Sequence, residues 1–152
     1  MATMTAPERP ILLVDDNARD VELLLDALST DLDASRIVHV RDGVEALAFL
    51  RREGVFAGRV GLQPALILLD LKMPRMNGME LLAIVKADEK LRQIPVVLMT
   101  SSQQDQDLAA AYRLGVNAYI RKPLAFDEFI GTTHHVLVFW ALLNILPTTD
   151  PE

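Results

Sequence analysis

The chain contains no cysteine among its 152 residues. Disulfide bonds, zinc–thiolate sites and cysteine nucleophiles are therefore all excluded. Basic residues are fewer than acidic ones, 15 against 21, and the net charge of −6 disfavours nonspecific attraction to nucleic acid. Apolar residues make up 51% of the chain and charged residues 24%, which is ordinary for a globular domain. We therefore expect one domain with a sizeable core and no nucleic-acid partner.

Long hydrophobic segments are also missing. The first ten residues hold no apolar core of the kind found in a signal peptide. The longest apolar stretch, residues 136–146, is too short to span a bilayer. The sequence therefore predicts a protein with no membrane segment and a cytoplasmic location.

Strand and helix patterns alternate along the whole chain, and short apolar runs between turn signals are typical of buried strands. The predicted strands are residues 11–14, 36–40, 64–69, 96–99 and 118–121. The predicted helices begin after Asn17 and Asp42, at Gly78, at the Ser102–Asp105 motif, and at Phe126, the last running to Leu146. Five such units in series imply a doubly wound α/β fold, a parallel sheet with helices on both faces.

The domain boundaries follow from the same pattern. We expect residues 1–9 to form a disordered or extended tail and residues 10–146 to form a single domain that ends in a long helix. Residues 147–152 are then a flexible tail. Between the second helix and the third strand, residues 54–63 are longer than a usual connection, and their apolar residues favour a loop that folds onto the body.

Polar side chains follow four of the predicted strands at the point where each strand ends. Asp15 and Asp16 follow the first strand, Asp70 the third, Thr100 the fourth and Lys122 the fifth. The carboxyl ends of parallel strands meet at one edge of the sheet, where open α/β folds bind their ligands. Each residue alone is explained as well by a helix cap or a turn, but their joint placement favours a site that handles phosphoryl groups.

The chemistry of these residues agrees with that interpretation. Three close carboxylates repel one another unless a cation enters, and their hard oxygen atoms suit Mg²⁺. The Lys122 ammonium could pair with phosphoryl oxygens, and the Thr100 hydroxyl could donate to them. At the end of a strand, an Asp70 oxygen could attack phosphorus in line.

At these residues the sequence resembles the receiver domain of the two-component response regulators, over residues 10 to about 130. The matching residues are Asp15–Asp16, Asp70 with Pro74 and Gly78 after it, Thr100, Tyr119 and Lys122–Pro123. The resemblance implies a flavodoxin-like (βα)5 fold with strand order 2-1-3-4-5. It also implies a cis peptide bond before Pro123.

The resemblance assigns roles to the acidic residues. Asp70 would be the phosphoacceptor, which takes the phosphoryl group from the phosphohistidine of a sensor histidine kinase. Asp16, Asp70 and the backbone carbonyl of Lys72 would bind Mg²⁺, with Asp15 acting largely through water. Lys122 would pair with the phosphoryl group.

The resemblance also implies a switch. The Thr100 hydroxyl would be drawn to the phosphoryl group, and Tyr119 would turn inward as the conformation changes. Without the resemblance, Tyr119 is explained as a half-buried aromatic residue on a strand.

The end of the chain predicts a protein partner. Residues 136–146 are apolar almost all round, whereas a helix that rests on one sheet needs only one apolar stripe. Phe139, Trp140 and Leu143 would supply the surplus surface, and we expect homodimerisation through the face from the fourth strand to the fifth helix. A membrane surface is the rival, weakened because no Lys or Arg follows Lys122. The remaining alternative is that the 54–63 loop covers this surface.

Two segments narrow the resemblance. Residues 49–54 and the Phe139–Trp140 pair look like the stand-alone response regulators that partner bacterial phytochromes, a group that tends to dimerise. The resemblance therefore implies a phytochrome-type histidine kinase as partner. The protein would not be an enzyme, beyond self-phosphorylation from small donors and self-dephosphorylation.

Three rival functions remain. Haloacid-dehalogenase-like phosphatases place a second Asp two residues after the first, but this position holds Lys72. Flavin or nucleotide binders need a loop of backbone N–H groups for phosphate, but Asp15, Asp16 and Asn17 follow the first strand. A pseudo-receiver that only scaffolds would be expected to lose part of the acidic set, which this chain keeps.

Overall fold

Five strands and five α-helices alternate in the computed structural model, which describes residues 8–28 and 33–152. The strands are β1 (Ile11–Val14), β2 (Ile37–Val40), β3 (Leu66–Leu69), β4 (Val96–Thr100) and β5 (Ala118–Arg121). The helices are α1 (Ala18–Leu28), α2 (Gly43–Arg51), α3 (Gly78–Ala87), α4 (Asp105–Leu114) and α5 (Phe126–Leu137). The strands form one parallel sheet in the order β2-β1-β3-β4-β5. The doubly wound fold and the strand order are therefore both confirmed.

Two apolar cores cover the two faces of the sheet, because side chains alternate along each strand. Leu12 and Val14 point into the core formed with α2, α3 and α4. Ile11 and Leu13 point into the core formed with α1 and α5. Every residue of β1, β3 and β4 is buried, which is why these strands read as continuous apolar runs.

Side-chain caps fix where the helices after β1, β2 and β3 begin. The Asn17 Oδ1 atom accepts from the backbone N–H of Asp20 at 3.1 Å, before α1. The Asp42 Oδ1 atom accepts from the N–H of Glu45 at 2.9 Å, before α2. Asn77 forms a reciprocal capping box before α3. These caps satisfy N–H groups that the first helical turn leaves without partners, so each loop at this edge has a defined end.

The prediction of one continuous helix over residues 126–146 is wrong at its C-terminal end. The α-helix ends at Leu137, a π-helical segment follows over Val138–Leu143, and Asn144 adopts an extended conformation. The wider π turn places the rings of Phe139 and Trp140 in a stack with their centroids 5.0 Å apart. Tertiary contacts beyond this point redirect the chain, which local helix propensity cannot anticipate.

Those contacts involve the residues that the sequence assigns to two tails. Asp150 forms an ion pair with Arg9 at 2.6 Å, and its other oxygen accepts from the N–H of Gln63 at 2.8 Å. The Arg9 guanidinium also donates to the carbonyl of Pro147 at 2.7 Å. Of the N-terminal segment 1–9, only Glu8 and Arg9 lie within the described residues.

The 54–63 loop folds onto the body beside α2. The Arg59 guanidinium lies 4.0 Å from the ring centroid of Phe49 and donates to the Phe49 carbonyl at 2.9 Å. Phe56 packs edge-on against Phe49, with centroids 5.2 Å apart. The loop therefore covers the α2 side and leaves Phe139 and Leu143 45% and 69% exposed.

Among the described residues, no helix has the length and apolar character needed to cross a membrane.

Candidate functional site

Three carboxylates converge where β1 and β3 end. Asp15 and Asp16 follow β1 and Asp70 follows β3, and these neighbouring strands pair with Val14 opposite Leu69. One carboxylate oxygen from each of the three lies within 4.8 Å of the others. Asp15 is buried, Asp70 is half-buried and Asp16 is exposed. The cluster is therefore buried in the protein at Asp15 and open to solvent at Asp16.

Hydrogen bonds hold the backbone and side chain of Asp15. Its N–H donates to the carbonyl of Val40 at 3.1 Å, and its Oδ1 atom accepts from the N–H of Asn17 at 2.9 Å. Its carbonyl accepts from the Nε2 atom of His39 at 2.7 Å, so this nitrogen carries the ring proton. No motif in the sequence pointed to His39, because its contact depends on the pairing of β2 with β1.

Asp70 has one oxygen held by the backbone and one that faces Lys122. Its Oδ1 atom accepts from the N–H of Leu71 at 2.7 Å, and its Oδ2 atom lies 3.4 Å from the Lys122 Nζ atom. Burial raises the pKa of the Asp70 carboxyl, and the nearby Asp15 charge adds to this effect. The Lys122 charge and the bond from Leu71 act in the opposite direction but do not cancel it.

Lys122 bridges two of the carboxylates. Its Nζ atom lies 3.5 Å from Asp15 Oδ2 as well as 3.4 Å from Asp70 Oδ2. Burial alone would lower the pKa of Lys122, but attraction to Asp70 and Asp15 outweighs burial and raises it. The ammonium is therefore held charged beside the acidic residues.

The predicted cis peptide bond before Pro123 is wrong, because the Lys122–Pro123 bond is trans. Trans is the intrinsically preferred isomer before proline, by about 0.5–1 kcal/mol. The backbone N–H of Lys122 donates to the carbonyl of Thr100 at 2.7 Å, which extends the pairing of β5 with β4 up to the site. With this pairing, the Lys122 side chain reaches both carboxylates from a trans bond.

Thr100 lies at the end of β4 and is 1% exposed. Its Oγ1 atom accepts from the N–H of Ser102 at 3.1 Å, so the hydroxyl keeps its own hydrogen to donate. The Ser102 hydroxyl donates to Asp107 Oδ2 at 2.6 Å. Ser102 therefore links the end of β4 to the first turn of α4, although it is not the residue that caps this helix.

The Tyr119 ring packs against the core formed with α2, α3 and α4. Its hydroxyl is buried and has no hydrogen-bond partner among the described residues. Burial raises the pKa of this phenol, and the proximity of the Ser102 hydroxyl opposes the rise. The two hydroxyls lie near each other but do not form a hydrogen bond in the described structure. An unpaired buried hydroxyl costs about 1–3 kcal/mol.

The loop from β3 to α3 packs closely against the backbone of Asp70. A side chain at Gly78 would collide with the backbone carbonyl of Asp70, which explains why glycine stands there. The N–H of Gly78 donates to the carbonyl of Leu71 at 2.8 Å, which closes the loop around residue 72. Lys72 itself has an exposed side chain.

The donor set at this edge fits a divalent cation. All available side-chain donors are carboxylate oxygens, which suit Mg²⁺, Ca²⁺ and Mn²⁺. Three negative charges face one lysine ammonium, so the cluster keeps a net negative charge. Chemically, the arrangement offers a carboxylate oxygen to a phosphorus atom, with positive charge and a hydroxyl donor beside it.

The residues predicted for a partner face lie away from this cluster. Phe139, Trp140 and Leu143 belong to the π-helical segment after α5. Trp140 packs against the core between the sheet and α1 and α5. It also lines a cavity of about 280 Å³ that Arg9 and Arg36 border. The site and the proposed partner face are therefore separate features of the fold.

Known proteins with this fold resemble the chain over nearly its whole length. Response regulator Rcp1 of Synechocystis sp. is 35% identical over 147 residues, which cover 97% of this chain and 99% of the relative. A crystal structure of the Mn(2+)-bound form of Rcp1 has a TM-score of 0.81, with 35% identity over 91% of this chain and 99% of that chain.

Two further solved structures are of phytochrome response regulators. The phosphorylated cyanobacterial phytochrome response regulator RcpA has a TM-score of 0.84 at 38% identity, over 92% of this chain and 99% of that chain. The bacteriophytochrome response regulator AtBRR has a TM-score of 0.70 at 50% identity, over 91% of this chain and 99% of that chain.

The family model of the response regulator receiver domain matches residues 11–134. This range includes all five strands and the three carboxylates at the ends of β1 and β3. The chain therefore belongs to the response regulator receiver domain family and is related to the phytochrome response regulators.

Proposed function

We propose that the protein is a stand-alone response regulator in which Asp70 accepts a phosphoryl group from the phosphohistidine of a histidine kinase. The observation that carries this proposal is the position of Asp70 within a three-carboxylate cluster and 3.4 Å from the Lys122 ammonium. In the transfer, an Asp70 oxygen forms a bond to phosphorus while the bond from phosphorus to the histidine nitrogen breaks. The electron pair of the broken bond returns to the imidazole ring.

Each neighbouring residue has a distinct part in this transfer. Asp16, Asp70 and the backbone carbonyl of Lys72 would hold Mg²⁺, with Asp15 acting through water. The bound cation would supply positive charge against the oxygens of the phosphoryl group. Lys122, already charged and held by two carboxylates, would exchange part of this contact for phosphoryl oxygens.

Thr100 and Tyr119 would form the switch. The Thr100 hydroxyl has a hydrogen to donate, and donation to a phosphoryl oxygen would pull Oγ1 away from the N–H of Ser102. The Ser102 segment would then rearrange and could offer a partner to the Tyr119 hydroxyl, which lacks one among the described residues. Phosphorylation would thus favour the second arrangement by repairing an unpaired buried group.

The output would be a change in self-association. Phe139 and Leu143 are large apolar residues that remain partly exposed after the 54–63 loop has packed elsewhere. We place a homodimer interface on the face from β4 to α5 and its π-helical extension, with Trp140 at its edge. The relation to phytochrome response regulators supports a phytochrome-type kinase as partner, in the cytoplasm, and the protein itself would not be an enzyme.

A phosphorylation assay tests the proposal. The protein is incubated with acetyl phosphate and Mg²⁺, and the phosphorylated fraction is read on a phosphate-retarding gel. A retarded band is expected for the wild type and for Asp127→Asn, whose aspartate lies on the exposed start of α5. The band should be absent for Asp70→Asn and when Mg²⁺ is removed by a chelator.

The same assay with a phytochrome-type histidine kinase as donor covers the case of a receiver that ignores small donors. If neither donor labels the wild type and Mg²⁺ causes no change in its NMR spectrum, the proposal fails. The chain would then be a scaffold with a receiver fold.

A further inference from the structure

The loop between β3 and α3 is fastened to the beginning of α2 by two polar contacts. The Nε atom of Arg75 lies 2.7 Å from Asp42 Oδ2. The N–H of Gly43 donates to the carbonyl of Met76 at 3.0 Å. We call these four residues the loop clamp. The clamp joins the element after β2 to the loop that carries Lys72.

The Asp42 side chain is buried, with 4% of its surface exposed, whereas Arg75 is 57% exposed. Its Oδ1 atom caps α2 by accepting from the N–H of Glu45, and its Oδ2 atom accepts from Arg75. Burial by itself would raise the pKa of Asp42, but the bonds from Glu45 and Arg75 lower it below its ordinary value. The buried carboxylate is therefore the fixed anchor, and the exposed arginine reaches it from the loop between β3 and α3.

Packing and backbone conformation agree with a tight clamp. A Cβ atom at Gly43 would lie 2.6 Å from the Met76 Cγ atom, so only glycine allows this approach. Arg75 has a φ of 62°, in the left-handed region that residues other than glycine seldom adopt. Such a conformation persists only when the surroundings hold it. The Arg75–Asp42 contact is part of what holds it.

At its other end the same loop is attached to Asp70. The N–H of Leu71 donates to Asp70 Oδ1 at 2.7 Å, and the N–H of Gly78 donates to the carbonyl of Leu71 at 2.8 Å. Lys72 stands between these fixed points and Arg75. The clamp therefore limits where the backbone carbonyl of Lys72 can lie.

We propose that Asp42 and Arg75 are positioning residues for the cation site, acting through the loop that presents the Lys72 carbonyl. This inference rests on the proposed function, which makes that carbonyl a ligand. Neither Asp42 nor Arg75 would touch the cation. Breaking the clamp would let the loop move and would weaken cation binding, as loss of outer-shell partners does at other metal sites.

The sign of the effect separates positioning from simple electrostatics. Replacing Arg75 by an uncharged residue removes a positive charge, which on Coulombic grounds alone would strengthen the binding of a cation. Positioning predicts the reverse, a weaker affinity. Arg51, exposed at the far end of α2, provides the matched control, because Arg51→Met removes the same charge without touching the loop.

The test measures Mg²⁺ dissociation constants by calorimetry for the wild type, Arg75→Met, Asp42→Asn, the double variant and Arg51→Met. Asn at residue 42 can still accept from Glu45, so this variant loses the ion pair and keeps the cap. We expect both single variants to bind Mg²⁺ on the order of tenfold more weakly. The double variant should be no weaker than the worse of the two, because both changes break one contact.

A second readout uses the metal-free protein. Amide hydrogen exchange at Gly43 and Gly78 should accelerate in Arg75→Met and Asp42→Asn, while exchange in β1 and β3 stays at the wild-type rate. An unchanged or tighter Mg²⁺ affinity in Arg75→Met would overturn the inference while leaving the proposed function intact. A wild type that binds no Mg²⁺ would overturn both.

Discussion

The ammonium of Lys122 lies 3.4 Å from the carboxylate of Asp70, across the edge where β3 and β5 end. Burial works against the charge on both groups, and their attraction offsets it for the lysine. Asp15 shares the same ammonium at 3.5 Å. One lysine therefore balances part of a cluster that would otherwise repel itself.

Lys122→Met tests how the Lys122 ammonium affects both Mg²⁺ affinity and the free energy of unfolding. The variant should bind Mg²⁺ more tightly than the wild type, because a competing positive charge has gone. Without Mg²⁺ its free energy of unfolding should fall by about 1–3 kcal/mol, since Asp70 and Asp15 lose a charged partner. Calorimetric titration and urea unfolding in chelator measure the two effects. Lys90→Met, at an exposed lysine, should change neither quantity. Weaker Mg²⁺ binding by Lys122→Met would contradict the view that the Lys122 ammonium competes with the cation for the carboxylates.

Tyr119→Phe tests the unpaired hydroxyl. Removing a buried hydroxyl that has no partner should raise the free energy of unfolding of the unphosphorylated protein by about 1 kcal/mol. Tyr112→Phe is the matched control, because Tyr112 is 55% exposed and its hydroxyl can bond to water. Urea unfolding gives both values. A loss of stability in Tyr119→Phe would mean that the hydroxyl has a partner after all.

Lys86 gives the stability a predictable dependence on pH. Its Nζ atom donates to the carbonyls of Arg92 and Ile94 at 3.0 and 2.8 Å, bonds that a neutral amine can also make. Burial lowers its pKa from 10.5 to about 8. Between these values the unfolded chain holds a proton that the native protein has lost, so stability rises with pH across this window.

The check is the difference in the free energy of unfolding between the wild type and Lys86→Met, measured from pH 8 to pH 10.5. This difference should shift in favour of the wild type as pH rises. The corresponding difference for Lys90→Met should stay level, because that lysine is exposed. A level difference for Lys86→Met would show that the amine stays charged in the native protein.

Leu143→Glu should disrupt the proposed homodimer. Leu143 is 69% exposed on the π-helical segment, so a charge there costs the monomer little but would be buried unpaired in the dimer. Light scattering should show a lower mass for this variant at concentrations where the wild type is dimeric. Val55→Glu, at a 93% exposed residue on the 54–63 loop, is the control. Equal masses for the wild type and Leu143→Glu would rule out this face as the homodimer interface.

Sequence patterns predicted those features that depend on local order along the chain. The apolar run before Asp70 identified a buried central strand, and the parallel order of strands then placed Asp15, Asp16 and Lys122 beside it. Residue type and strand position were sufficient for this step, because strand ends in a parallel sheet share one edge.

Features that depend on contacts between distant segments could not be predicted in this way. The bond from His39 to Asp15 and the Asp42–Arg75 ion pair each join residues more than twenty positions apart. The end of the last helix depends on where the chain turns at Asn144. Only the assembled sheet and its packed loops determine these contacts.

Chemical mapping of the phosphorylated residue distinguishes Asp70 from the neighbouring aspartates as the phosphoacceptor. Borohydride reduces an acyl phosphate of aspartate to homoserine, and tandem mass spectrometry of the digested protein then locates the changed residue. After phosphorylation in the presence of Mg²⁺, we expect homoserine at residue 70 and unchanged aspartates at Asp15 and Asp16. Homoserine at either of those residues, with Asp70 unmodified, would contradict the claim that Asp70 accepts the phosphoryl group.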